Sequence, residues 1–136
     1  MNAAEKAQDI VDEFAFFDDW EDRYQHLIDL GRKLPPLDDK YKHDDYRLYG
    51  CQSLVHFVAE KDGELLRFYA GSDAAIVQGL IALMMRVYSG QTADEILKTQ
   101  PDFLREIGLD EHLSPTRKNG LAAMVTAIMT EAGKIG

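Results

Sequence analysis

The chain contains one cysteine, Cys51, and its thiol is the group with the most chemistry to offer. A free cysteine is often just a small buried hydrophobe, so its neighbours must decide how it is read. Gly50 precedes it, freeing the backbone to turn and keeping bulk away from the sulfur, and the polar pair Gln52-Ser53 follows. That setting suits a loop tip, where a rigid scaffold can present a reactive group. With no second thiol, the chain can neither form an internal disulfide nor resolve a sulfenic acid within itself. One reachable thiolate can nevertheless attack a sulfur–sulfur bond in line and carry the outer sulfur away. A Cys–His hydrolase would instead need His26, His43, His56 or His112 as a base beside the sulfur. His56 is five positions past Cys51 on an expected strand, which places its ring along the sheet and assigns it a structural or surface role. The histidines show no ligand spacing and the carboxylates are dispersed, so no metal site is expected. The residues alone leave three readings open: a sulfur carrier, an interaction domain with a buried structural cysteine, and a Cys–His thiol hydrolase.

A loop of this kind needs elements to hold it. Ala7, Ile10, Val11, Phe14 and Phe17 recur at helical spacing and predict a first helix from about Ala3 to Phe16. A second begins at Asp18 or Asp19, carries Trp20, Tyr24, Leu27 and Ile28 on one side, and is expected to stop at Gly31. After Leu34-Pro35-Pro36 the polar stretch from Leu37 to Asp45 reads as irregular, with a helical turn around Asp38 to Tyr41. Tyr46 to Tyr49 reads as a short strand and Leu54 to Glu60 as a longer one, so Cys51 falls between two strands. Asp62-Gly63 suits a tight hairpin turn, with Leu65 to Ala70 as the returning strand. Gly71-Ser72-Asp73 offers a cap and an acid to a helix from Ala74 to about Tyr88 that is apolar nearly all round. Thr92 with Glu95 forms a capping pattern for a short helix, and a further turn or two runs through Phe103 and Leu104. Ser114-Pro115 opens a last helix through Leu121, Met124, Val125, Ile128 and Met129. Helices at both ends around one hairpin predict an α+β fold, a small antiparallel sheet covered by helices.

The bulk properties narrow the function classes. At 136 residues, 46% hydrophobic and 29% charged, the chain fits one globular domain spanning 1–136. Its 24 acidic and 15 basic side chains give a formal charge of −9, the wrong sign for a phosphate-backbone binder, so nucleic acid is not an expected partner. The opening residues mix charges with apolar residues and no apolar stretch is long enough to span a bilayer, which predicts a cytoplasmic address with no membrane partner.

Several separated motifs, in order, resemble the SufE family of sulfur acceptors. They are Gly50-Cys51-Gln52-Ser53, the run from Gly71-Ser72-Asp73 through Ala74-Ala75-Ile76-Val77 to Gly79-Leu80-Ile81-Ala82, and His112-Leu113-Ser114-Pro115-Thr116-Arg117 with Asn119-Gly120-Leu121. Trp20-Glu21, Tyr24, Leu27-Ile28, Leu30-Gly31 and Leu34-Pro35 are similar to the family's N-terminal pattern, so the resemblance covers most of the chain. It implies an α+β fold like that of the scaffold IscU, with the cysteine at a loop tip. It also implies a reaction in which a SufS-like cysteine desulfurase, using pyridoxal phosphate, passes persulfide sulfur to Cys51. The acceptor in turn stimulates the desulfurase and hands the sulfur toward an iron–sulfur scaffold. The resemblance further implies a sulfur-transfer partner with no cofactor of its own and no independent turnover, present as a monomer or dimer. It places Asp73 near the cysteine loop, Arg117 against the desulfurase, and Gly50, Gln52 and Ser53 as shapers of the loop. His56 departs from the family pattern, in which tryptophan is common at that place. Protonation of His56 is accordingly expected to bias the loop outward at low pH.

Overall fold

The computed structural model describes residues 1–50 and 52–135. The chain opens with two helices, α1 (Ala3–Phe14) and α2 (Trp20–Lys33), and each start is fixed by a side chain. At α1 the Asn2 carboxamide accepts from the Glu5 amide (2.8 Å) while the Glu5 carboxylate accepts from the Asn2 amide (3.1 Å), a reciprocal capping box. At α2 the Asp19 carboxylate accepts from the Asp22 amide (2.9 Å), with Glu21 and Asp22 in the first turn to suit the helix dipole.

Gly31 does not end α2, which runs on to Lys33 and gives way where Leu34, the residue before Pro35, takes an extended conformation. Gly31 is instead a point of contact with the next helix. A β-carbon built on it would stand 2.7 Å from the Gly79 amide nitrogen, and only glycine lets the two backbones meet there. Two short 3-10 turns, Asp39–Tyr41 and Asp44–Tyr46, follow. The strand expected at Tyr46 to Tyr49 is reduced to a single antiparallel bridge between Arg47 and His56.

Strands β1 (Val55–Asp62) and β2 (Leu65–Ser72) pair antiparallel from Val55 opposite Ser72 to Asp62 opposite Leu65. The hairpin turns at Gly63-Glu64 with Gly63 at φ +64°, a first turn position suited to glycine. A two-residue strand β3 (Gln91–Thr92), too short to show a period in the sequence, extends the sheet in the order β1-β2-β3.

Leu66, Phe68 and Ala70 of β2 are buried, and helix α3 (Ala75–Tyr88) packs on this strand while α2 and α1 pack on α3. Its Ile76, Val77, Leu80, Ile81, Leu83, Met84 and Val87 are all buried, as its continuous hydrophobicity predicted for a central helix. Three short helices, α4 (Ala93–Lys98), α5 (Asp102–Glu106) and α6 (Leu109–His112), lead to the long α7 (Pro115–Ile135). The expected caps appear: Thr92 Oγ1 accepts from the Glu95 amide (3.2 Å) and Ser114 Oγ from the Arg117 amide (3.3 Å). Burial pushes the Tyr88 phenol well above its usual range, and its hydroxyl donates to the Thr99 carbonyl (2.8 Å), tying α3 to the end of α4. The architecture is α+β, as expected.

Candidate functional site

The segment carrying Cys51 emerges from a neck between the second 3-10 turn and β1. Leu48 donates its amide to the Val55 carbonyl (2.9 Å), and Arg47 bridges to His56. Val55 is fully buried and Leu48 packs against the core, so the neck is anchored from inside, while Tyr49, Gly50, Gln52 and Leu54 beyond it are exposed. Gly50 has φ +97°, a conformation that side-chain-bearing residues rarely adopt, and a β-carbon there would touch the Ala123 β-carbon at 3.4 Å. The loop is therefore turned against α7 immediately before Cys51, which itself lies outside the described residues.

On the far side of Cys51 the chain lines a cavity of about 210 Å³. Gln52 and Ser53 form one wall, Val77 and Leu80 of α3 and Met124 of α7 its apolar floor, and Arg117 another wall. Arg117 stands in the first turn of α7, where the helix dipole does not favour a cation. Among the described residues its guanidinium has no hydrogen bond or ion pair, although its own amide is capped by Ser114. The structure thus brings together Gln52, Ser53 and Arg117, with Gly50 at the loop's turn.

Asp73 is not part of this cavity. It is exposed and borders a separate cavity of about 350 Å³ shared with Leu54, His56 and Gln78. Nor does Asp73 cap α3, whose cap residue is Ala74 and makes no side-chain bond. Ser72 bonds locally instead, its hydroxyl accepting from the Ala74 amide (3.2 Å) and its own amide donating to Gln78 Oε1 (2.8 Å). His56 is buried at the start of β1, opposite Gly71 in the β1–β2 register.

The other three histidines are engaged away from this cavity. His26 meets the Glu13 carboxylate (2.7 Å), His112 stacks on Trp20 with ring centroids 4.4 Å apart, and His43 lies edge-on to Tyr46. Among the described residues no cluster of three or more His, Cys, Asp or Glu is placed to hold a metal ion, and no helix is long and apolar enough to cross a membrane.

The comparison with known proteins adds to this geometry. Residues 8–132 match the SufE domain, described as an Fe–S metabolism associated domain. The chain belongs to the SufE family. An uncharacterized SufE-like protein of Rhizobium meliloti (strain 1021) is 42% identical over 128 residues, covering 90% of this chain and 91% of the relative. One of Rhizobium etli is 41% identical over 128 residues, covering 90% and 86%. The solution structure of a hypothetical protein from Thermus thermophilus has a TM-score of 0.77 and 25% identity, covering 95% of this chain and 94% of that one. The SufE assignment associates the chain with Fe–S metabolism.

In the sequence the wall residues Val77, Leu80 and Met124 carry only the apolar spacing of core positions. Their apolar periodicity is the same whether a helix face meets other side chains or lines a cavity, so no local signal distinguishes them.

Proposed function

We propose that this SufE-family protein is a sulfur acceptor for a pyridoxal-phosphate-dependent, SufS-like cysteine desulfurase, with Cys51 as the accepting thiol. The observation that carries the reading is the cavity joining Gln52 and Ser53, which directly follow Cys51, to Arg117 on α7, unpaired among the described residues.

In the transfer, the Cys51 thiolate attacks the outer sulfur of the desulfurase's persulfide. A new sulfur–sulfur bond forms on Cys51 as the old one breaks, and the departing electron pair leaves the desulfurase cysteine as its thiolate. The step is an exchange and needs no outside oxidant. Gly50 sets the turn that carries the thiol, Gln52 and Ser53 shape the loop, and Arg117 offers a positive charge to the anionic sulfur or to the partner's carboxylates. Asp73, which shares a separate cavity with Leu54 at the end of the loop segment, borders the partner's approach. The cofactor belongs to the desulfurase, whose turnover rises as its persulfide is removed, and an iron–sulfur scaffold is the recipient. A single domain in the cytoplasm, without a metal or cofactor of its own, suffices for this work.

The test is to incubate the protein with a SufS-like desulfurase and L-cysteine and to follow intact mass. The expected result is one added sulfur on Cys51, removed by reducing agent and absent in Cys51→Ser, together with faster alanine release. No adduct and unchanged desulfurase turnover would overturn the reading.

A further inference from the structure

The neck of the loop alternates in a way the transfer chemistry does not by itself require. Leu48 packs against the core and Val55 is fully buried, yet the next residue on each side, Tyr49 and Leu54, is 67% and 40% exposed. These are two of only a few large hydrophobic side chains exposed to this degree among the described residues, and they stand at the two feet of the segment that carries Cys51. Arg47 lies over the Tyr49 ring, 5.4 Å from its centroid, and makes no ion pair among the described residues. Across the loop, Arg117 is likewise without an ion pair among the described residues. In a chain whose formal charge is −9, the segment bearing the thiol is therefore flanked by two arginines that make no ion pair among the described residues and by exposed apolar groups.

We propose that Arg47, Tyr49 and Leu54 form a docking rim that seats on the desulfurase around its persulfide, with Tyr49 as the anchor. The inference rests on the sulfur-acceptor reading and names the surface through which it operates. In-line transfer requires the donor sulfur to reach bonding distance of Cys51, so side chains at the feet of its loop must be covered by the donor protein. An exposed tyrosine with an arginine over its ring is an amphipathic contact of the kind that concentrates binding energy when a partner covers it. The cation over its ring calls for a carboxylate on the facing surface. The partner's surface is accordingly an apolar recess for Tyr49 and Leu54, lipped by at least one acid opposite Arg47. The apolar rim also excludes water from the persulfide while it is exchanged.

The experiment measures sulfur transfer from a SufS-like desulfurase as a function of acceptor concentration for wild type, Tyr49→Ser, Arg47→Glu and the control Tyr69→Ser, which removes an exposed tyrosine from β2. Alkylation of Cys51 by iodoacetamide is followed in parallel. Tyr49→Ser and Arg47→Glu are each expected to raise the acceptor KM about tenfold, with melting temperature and Tyr69→Ser at wild-type values and, for the uncharged Tyr49→Ser, the alkylation rate also at the wild-type value. Unchanged KM values in both rim variants, with wild type accepting sulfur normally, would overturn the rim while leaving the acceptor reading standing. A wild type that accepts no sulfur would overturn both. A loss in Tyr49→Ser matched by slower alkylation or by altered self-association would also overturn the rim, since the tyrosine would then be shaping the loop or joining two copies of this chain.

Discussion

Gly31 of α2 and Gly79 of α3 meet backbone to backbone, so closely that a β-carbon on Gly31 would lie 2.7 Å from the Gly79 amide nitrogen. A β-carbon on Gly79 would in turn press on the Leu27 carbonyl carbon at 2.8 Å. This crossing holds α3 against α2, and α3 supplies Val77 and Leu80 to the cavity beside the loop. Glycine to alanine within a helix gains up to about 1 kcal/mol of propensity. Driving a methyl into backbone costs more, typically about 1–3 kcal/mol. Gly79→Ala is therefore expected to lower the melting temperature by roughly 5 °C, measured by thermal unfolding. A variant as stable as wild type would show that the helices separate at little cost.

Gly31 follows an apolar helical run and looks like a terminator, and only the approach of α3 reveals its use. Features decided within a few residues were legible: the caps at Thr92 and Ser114, the hairpin at Gly63, and the all-round apolar α3. The strand β3 was not, because two residues carry no period and their pairing with Leu65 and Leu66 depends on where α3 ends. Within the candidate site, Gly50, Gln52 and Ser53 are neighbours in the chain. Their meeting with Arg117 depends on how α7 lies against the loop, which a family pattern can suggest and local spacing cannot. Asp73 shows the converse, since its position beside a capping serine looked like a helix start and the cap is not made.

Glu13 joins three helices. Its Oε2 accepts from Arg86 Nη1 of α3 (3.0 Å) and meets His26 Nε2 of α2 (2.7 Å). Burial pushes its carboxyl up, but hydrogen bonds and attraction from Arg86 and His26 outweigh this and hold it below the ordinary 4.5. A depressed folded-state value means the contribution to stability is present above the unfolded value and is lost as pH falls through the folded one. Glu13→Gln should cost about 1 kcal/mol near neutrality. The gap between the two melting curves should close as pH drops below 4.5, and a gap independent of pH would show that the carboxylate's charge is not what binds the helices.

At Gly50 the strain is in the backbone rather than in the space available, because its φ is +97° and the nearest neighbour of an added β-carbon, at 3.4 Å, is in ordinary contact. Alanine there costs roughly 1–2 kcal/mol locally, a cost the loop can relieve by shifting away from α7. Gly50→Ala is expected to slow sulfur transfer to Cys51 about tenfold while moving the melting temperature by only about 3 °C. Asparagine, which tolerates positive φ better, should fall between the two. Equal transfer rates for all three proteins would mean the turn before Cys51 does not position the thiol.

Arg117 allows function and stability to be separated by sign. A cation in the first turn of α7 opposes the helix dipole by about 0.3–1 kcal/mol, and its guanidinium recovers nothing from an ion pair among the described residues. Arg117→Ala should therefore leave the melting temperature unchanged or raise it, helped by alanine's helix propensity. If the side chain meets the partner or the transferring sulfur, the same variant should raise the acceptor KM about fivefold and weaken the salt dependence of transfer. Arg117→Lys keeps the charge and loses the planar fork, so partial retention would indicate a charge effect and full loss a bidentate contact with a carboxylate. Raised stability with wild-type transfer would remove Arg117 from the docking surface and leave its placement in the cavity without a role in the exchange.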